Sequence, residues 1–409
     1  MKICDVTQFY SPVSGGVKRY ISEKRLHVVQ HTRDEHHLII PGPETRYERQ
    51  GRLHLHTIRS PRLDFFSRYP SRYRLILNQK LVLDLLDDIR PDIIESGDPY
   101  HLAWTCLRAG VQLHAPVFGF YHSHFPEAYL RTALKYGGSW LRDAVLNYAE
   151  DYIVNLYSRF TATLVPSQPL RDLLHTWGVT NTVTLNLGVD TKAFRPEPRH
   201  DDLRRELDLP TDRKVLLYVG RLSPEKNIEM LLAAFEALHA REPNTWHLVI
   251  VGDGPLRRIL PATRHRTGAL TWRSYVQDNA TLADYYHAAD LFIHPGVCET
   301  FGLVVLEAQA CGLPCVGVRG SFMDANIMTG LEHWATKNDP EDIADAIQRF
   351  EPLDLSALGA KASKMVHARF SWDAVFARQW QLYTAARLHG AEALHSIEPQ
   401  PFSPAWVNE

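Results

Sequence analysis

A chain of 409 residues, 45% of them hydrophobic and 22% charged, is too long for one ordinary core and too apolar for a disordered or fibrous protein, so two domains of roughly 200 residues are expected. A formal net charge of -2 argues against bulk nucleic-acid binding. The chain holds no run long and apolar enough for a membrane span, and its opening, MKICDVTQFY, reads as a strand rather than a leader. Cys4, Cys106, Cys298, Cys311 and Cys315 show no paired C-x-x-C spacing, which points to buried reduced thiols and to the cytoplasm.

In chain order, KICDVT (2–7) is a buried-strand pattern, followed by a loop with Gly15-Gly16 and a helical pattern from Val17. Further strands are expected at HLIIP (37–41), DIIES (92–96), VFGFYH (117–122), TATLVPS (161–167) and TVTLNLG (182–188). Apolar β-branched runs separated by helix-length segments imply a mostly parallel sheet covered on both faces. Residues 46–74 depart from this pattern. They carry Arg46, Arg49, Arg52, Arg59, Arg62, Arg68, Arg72 and Arg74 among Tyr47, Phe65, Phe66, Tyr69 and Tyr73. Such a stretch suits an anionic acceptor or a membrane surface; the plainer alternative is a solvated loop and helix face.

Residues 188–213 are rich in proline and charge and read as a linker region. The strand pattern then restarts at KVLLYVG (214–220) and continues through HLVIVG (247–252), ALTWRSYV (269–276), LFIHP (291–295) and CVGVR (315–319). Two βαβ stacks in tandem are the simplest architecture, an α/β class with two doubly wound parallel sheets. An amphipathic helix is expected at 370–388, with Trp372, Val375, Phe376 and Trp380 on its apolar side, and a poorly ordered tail after it.

In such sheets ligands bind beyond the carboxyl ends of the strands. After the strand at 291–295 comes Cys298-Glu299-Thr300-Phe301-Gly302-Leu303, with a helix expected from Gly302-Leu303 and Glu307 one turn inside it. The free N–H groups and positive end of a helix start suit a diphosphate. Carboxylates at 299 and 307 could grip sugar hydroxyls on either side of it, and Gly302 permits close backbone approach. The alternative makes Glu299 a helix cap and Glu307 a surface residue. After the strand at 214–220, Arg221 and Lys226 lie five apart and can reach one phosphate pair. Since no Asp-x-Asp occurs, these two cations would neutralise a leaving diphosphate without a metal. Gly252 and Gly254 in VGDGP, and Gly15-Gly16, serve either a ligand or a plain turn. His122, at the end of the 117–122 strand, can hydrogen-bond a transferred sugar or be incidental. No nucleophile elbow or triad is present.

Together these segments resemble the retaining GT-B glycosyltransferases of family GT4. The resemblance rests on Gly15-Gly16, YHS (121–123), LGVDTKAF (187–194), GRLSPEKN (220–227), VGDGP (251–255), AADLFIHPGVCETFGLVVLEAQACGLP (288–314) and the closing FSW (370–372). It implies two Rossmann-like domains facing across an interdomain cleft. The first, 1–195, would bind acceptor and the second, 196–369, a nucleotide-sugar donor, with a crossover helix in 370–409 returning to the first. It also implies that Arg221 and Lys226 neutralise the diphosphate, Glu299 faces the hexose and Glu307 the ribose. By the same resemblance, backbone around Phe301, Gly302 and Leu303 holds hexose and phosphate oxygens, His122 contacts the sugar and Gly16 lies by diphosphate or acceptor. Catalysis would retain configuration with no protein nucleophile, cofactor or metal. The implied partners are a UDP- or GDP-hexose and a lipid-linked or cell-surface glycan acceptor; the arginine-rich stretch 46–74 adds an expected peripheral membrane contact, and the net charge argues for no nucleic acid. Two positions depart from the family pattern. Gly320-Ser321-Phe322-Met323-Asp324 replaces a Gly-Gly-x-x-Glu turn, and Ser274-Tyr275-Val276 replaces the Gly-Phe-Val near the base, so Val276 carries no base preference. A GT-B epimerase or phosphorylase, a non-catalytic nucleotide-sugar binder and a dinucleotide dehydrogenase are the competing readings; the last lacks a G-x-G-x-x-G after the first strand.

Overall fold

A computed structural model describes residues 1–8, 10, 16–62, 74–122, 139–297 and 299–397. Gly15, Cys298, Ser123-His124-Phe125-Pro126, the segment 63–73 within the arginine-rich stretch, and the tail from 398 lie outside the described residues. The chain divides into two compact units, Met1–Leu187 with Trp372–Glu409, and Gly188–Ser371.

In the first unit the strands are β1 (Lys2–Val6), β2 (Glu35–Gly42), β3 (Arg46–Gln50), β4 (Leu53–Arg59), β5 (Ile93–Ser96), β6 (Val117–Phe120), β7 (Ala162–Val165) and β8 (Thr182–Thr184). They form one sheet in the order β3-β4-β2-β1-β5-β6-β7-β8. All neighbours are parallel except the β3–β4 hairpin. The order reverses between β1 and β5, which is the Rossmann switch point. Ile3, Ile39, Ile94, Phe118 and Leu164 form the centre of the core.

The reading of residues 46–74 as a solvated loop and helix face is corrected for the described residues 46–59. Arg46–Gln50 and Leu53–Arg59 form an antiparallel edge hairpin whose outer strand is wholly exposed. β4 does alternate with period two, but its buried face carries His54, His56 and Ile58. Histidine on the inner face and leucine on the half-exposed face hide the pattern.

The closing helix, Trp372–His389, belongs to the first unit and packs on helix Gly16–His31. Its most buried polar residue is Gln379, which donates to the Glu95 carboxylate at 2.8 Å. Lys24, fully buried, bridges Asp5 at 2.7 Å and Glu95 at 3.1 Å and donates to the Tyr383 hydroxyl at 2.9 Å. Burial works against both carboxylates, but Lys24 and His36 overrule it at Asp5, which is held well below the usual range. At Glu95 burial prevails and the carboxyl is raised. The helix is thus anchored by a buried polar network as well as by apolar packing.

The second unit holds β9 (Lys214–Val219), β10 (Trp246–Val251), β11 (Leu270–Arg273), β12 (Leu291–His294) and β13 (Cys315–Gly317), all parallel, in the order β11-β10-β9-β12-β13. This is again a Rossmann order, with its reversal between β9 and β12. The expected linker 188–213 proves to be part of this unit and contains helix Asp201–Glu206. The His200 ring caps it by accepting the Leu203 N–H at 3.1 Å. Arg204 is buried from it against Asp290, and donates to the Ala288 carbonyl at 2.8 Å. Five charged residues around a single leucine, Leu203, give no hydrophobic period; the helix exists because its buried arginine has a charged partner. Cys4, Cys106, Cys311 and Cys315 are free and buried. Among the described residues no helix is long and apolar enough to cross a membrane.

Candidate active site

Because the second sheet reverses between β9 and β12, the loops leaving those two strands flank one crevice at their carboxyl ends. The loop after β9 contains Gly220-Arg221-Leu222-Ser223 and a short 3-10 turn, Pro224–Lys226. Asn227, left-handed at φ 59°, then starts helix Ile228–Arg241. Asparagine tolerates that conformation well, and its side-chain amide donates to the Pro295 carbonyl at 2.9 Å. That bond ties the loop after β9 to the loop after β12.

Lys226 and Glu299, 73 positions apart, form an ion pair across this crevice. Their side chains are 29% and 19% exposed, so the pair is shielded yet open to solvent. Burial alone would raise the Glu299 carboxyl; the Lys226 charge and the His294 ring, 3.5 Å away, hold it well below the usual range instead. The carboxylate therefore stays charged across the whole physiological range. Arg221 is exposed on the same loop, and its carbonyl accepts the Tyr218 hydroxyl at 3.0 Å.

Helix Leu303–Ala310 begins as the sequence suggests. Gly302 precedes it at φ 76°, a conformation costly for any residue with a side chain. A Cβ there would lie 2.5 Å from Met323 Sδ, so Met323 fills the space that glycine leaves. Phe301 is buried, and its carbonyl accepts Asn326 Nδ2 at 2.8 Å, which fixes the approach to the helix. The first N–H groups of such a helix have no carbonyl one turn back, and with the dipole they favour an anion.

Glu307 is buried, which rules out the surface-residue alternative, and accepts the Tyr286 hydroxyl at 3.0 Å. In the departing loop, Asp324 folds back to accept the Gly320 N–H at 2.7 Å and lies 3.2 Å from Ser321 Oγ. Gly252 and Gly254 line the loop after β10. A Cβ on either would meet backbone oxygen, Gly220 at 1.9 Å and Leu222 at 2.3 Å respectively. Their smallness lets two loops of the carboxyl-end rim run side by side. Val276 is half-buried just past the end of β11, next to exposed Tyr275.

In the first unit His122 lies two residues beyond β6. Its ring stacks on Phe120 at 3.9 Å between centroids and meets Tyr20 edge-on. Burial, then the Lys24 charge, push it down to about 3, so it is neutral near pH 7. Gly16 is the first residue of helix Gly16–His31. Sequence reasoning missed His294, though it sits in the quoted LFIHP run five residues before Glu299. It also missed Asp98, buried at the switch point of the first sheet, where its carboxylate accepts the Gln8 N–H at 2.7 Å. A buried carboxylate in the loop after β5 was legible only as an acidic residue following DIIES.

Two Rossmann-ordered sheets, one with cations, carboxylates and a helix start gathered at its switch point, define the class as a nucleotide-binding α/β protein of two units. The sequence matches the family described as Glycosyltransferase Family 4 over residues 14–193 and that described as Glycosyl transferases group 1 over residues 213–351. It is 30% identical over 352 residues to the GDP-mannose-dependent alpha-(1-6)-phosphatidylinositol dimannoside mannosyltransferase of Mycobacterium tuberculosis, across 85% of this chain and 87% of that protein. It is 31% identical over 332 residues to a GDP-mannose-dependent alpha-mannosyltransferase of Corynebacterium glutamicum, across 78% and 72% respectively. Sucrose-phosphate synthase from Thermosynechococcus elongatus shares the fold, with a TM-score of 0.71 at 22% identity over 94% of this chain and 98% of that one. The chain belongs to glycosyltransferase family 4, with the GT-B fold, and is a glycosyltransferase.

Proposed function

We propose that the protein transfers a hexose, with retention and without a metal, from a nucleoside-diphosphate sugar to a glycolipid acceptor. A GDP-hexose is the first donor to test, because relatives that match most of the chain are named GDP-mannose-dependent. The observation that carries the reading is the convergence of Lys226, Glu299 and the Gly302-Leu303 helix start at one switch point. In this scheme the helix-start N–H groups, Lys226 and Arg221 hold the diphosphate, Glu299 the hexose and Glu307 the ribose. Gly252, Gly254, Phe301 and Val276 shape the surrounding rim. His122 and Gly16 are the first unit's proposed contacts to the transferred sugar and to diphosphate or acceptor.

The sugar C1–O bond to phosphate breaks while a bond from C1 to the acceptor oxygen forms on the same face, and the acceptor proton passes to the departing phosphate oxygen. Fixed positive charge at the leaving group lowers the barrier by stabilising charge that develops there. Ion-pairing to Glu299 keeps the Lys226 ammonium at the crevice before donor arrives.

The test is a thermal-shift panel of UDP-, GDP- and ADP-sugars, since a ligand that binds only the folded state raises its stability. The stabilising donor is then used in a transfer assay with phosphatidylinositol-type glycolipid, with and without EDTA. A shift with one donor and EDTA-insensitive product of retained configuration are expected. Abolition by EDTA and recovery with a divalent ion would overturn the metal-free scheme, and inverted product would overturn retention.

A further inference from the structure

At the opposite end of the first sheet from His122, β2 and β4 bring together side chains that the transfer scheme does not use. His37 and His54 are direct partners in the parallel β2–β4 register. Their rings stack at 4.1 Å between centroids with 11° between planes. Glu35 precedes His37 by two residues on the same face of β2. One carboxylate oxygen of Glu35, one ring nitrogen of His37 and one of His54 all lie within 4.8 Å of one another.

The ring nitrogens are already sorted. His37 Nδ1 lies 3.2 Å from His56 Nε2, and His54 Nδ1 lies 2.9 Å from the Tyr47 hydroxyl. His37 Nε2 and His54 Nε2, in contrast, are buried with no hydrogen-bond partner among the described residues. The two residues are only 7% and 6% exposed, so the bare nitrogens are not simply turned to water. When each Nδ1–H donates to its neighbour, each Nε2 keeps an in-plane lone pair. Metal-bound histidines show this arrangement, in which an outer partner on one nitrogen fixes the tautomer and aims the other at the ion. Burial first, and then the neighbouring histidines, push His37 down to about 3; burial also lowers His54 and His56. The rings are neutral near pH 7, the form that ligates.

We propose that Glu35, His37 and His54 form a binding site for a late first-row divalent metal ion, with Zn2+ the natural occupant. Two imidazoles and one carboxylate are a borderline donor set that suits Zn2+, Ni2+, Co2+ and Cu2+ rather than Mg2+ or Ca2+. With metal–ligand bonds of about 2.0–2.2 Å, ligand atoms on one ion sit roughly 3–4 Å apart. Glu35 Oε2 to His37 Nε2 is already 3.9 Å; because the stacked rings hold their lone pairs in nearly parallel planes, binding also requires one imidazole to rotate out of the stack toward the ion. Three protein ligands leave a fourth position for water. Glu35 and His37 lie in the first half of β2, and His54 is the second residue of β4. The carboxyl-end loops, where His122 and Gly16 lie, are at the other end of these parallel strands. The ion therefore clasps the β2–β4 edge and takes no part in transfer, so this inference stands independently of the metal-free scheme above.

The experiment uses the full chain, stripped with EDTA and returned to chelator-free buffer, titrated with Co2+ by visible absorption and with Zn2+ by calorimetry. One equivalent should bind, with Co2+ bands of low coordination number that Zn2+ abolishes. Glu35→Gln and His54→Asn should each weaken Zn2+ at least tenfold. Tyr47→Phe should weaken it within the roughly 10–100-fold range of lost outer partners. Glu35 is 39% exposed, so Glu35→Gln decides the matter even if His54→Asn misfolds; circular dichroism of the metal-free proteins checks each fold. The chain has 21 histidines, and His27, His31 and Asp373 make a second, more open cluster. Asp373→Asn should therefore leave the affinity unchanged. Absence of a stoichiometric site, equal affinity in wild type and Glu35→Gln, or loss of binding in Asp373→Asn would each overturn the assignment.

Discussion

Replacing Lys226 by methionine leaves the Glu299 carboxylate in place without its partner. The pair is neither a surface ion pair, which contributes about 0–1 kcal/mol, nor fully buried, where removing one partner costs about 3–5 kcal/mol. Side-chain exposures of 29% and 19% place it between, so we expect a loss of about 1.5–3 kcal/mol at pH 7. For a unit of this size that corresponds to a midpoint lowered by roughly 3–12 °C. The Lys226→Met/Glu299→Gln double variant should be about 1–2 kcal/mol more stable than the sum of the two single losses predicts. The pH dependence has a defined sign. The folded state holds the Glu299 carboxyl below its ordinary value of 4.5, so the unfolded chain binds the extra proton. The pair's contribution is complete above pH 4.5 and is lost as pH falls toward the folded value, by about 0.8 kcal/mol at pH 4. In Lys226→Met burial dominates and that loss disappears, so the gap between variant and wild type should narrow on acidification. Urea unfolding of the four proteins at pH 7 and pH 4 measures both effects. Additive losses together with a gap that does not change with pH would refute the reasoning.

Arg221→Ala and Glu307→Ala should each lower the transfer rate by about 10²–10³-fold in a radiolabelled-donor assay, while EDTA leaves the wild-type initial rate within twofold. Gly302→Ala should destabilise by at least about 1–2 kcal/mol for the left-handed backbone alone, and Met323→Ala in the same chain should recover part of any further loss, since Met323 occupies the space; scanning fluorimetry of both proteins tests this. His37 and His122 are pushed down to about 3 and His247 to about 4, chiefly by burial. In each case the unfolded chain takes up a proton first, so stability is complete above pH 6.5 and falls as the solution is acidified through that value. A midpoint that stays flat from pH 7 to pH 5 in metal-free buffer would contradict this.

The parallel strands were legible because runs such as KVLLYV and WHLVIV are apolar on both faces, and the rim loops because glycines, prolines and charges follow those runs directly. The edge hairpin was not legible, since β4 buries histidines and half-exposes leucines, the reverse of the usual alternation. Helix Asp201–Glu206 was hidden because its stability comes from Arg204 against Asp290, a partner 86 residues away. At the site, Glu299, Glu307, Arg221 and Lys226 were readable as residue types beside a helix start. The salt bridge from Lys226 to Glu299 and the support of His294 were not, because pairing between segments depends on which strands are neighbours. Strand order places β9 beside β12, and no local pattern encodes that adjacency.

The most direct test of the central claim is a crystal structure of the complex with the nucleotide sugar that stabilises the protein, grown in EDTA. The account predicts diphosphate oxygens within hydrogen-bonding distance of the Leu303 N–H and of Lys226 or Arg221, with Glu299 on the hexose and Glu307 on the ribose. A diphosphate bound away from the β9–β12 crevice, or with these four side chains untouched, would contradict it.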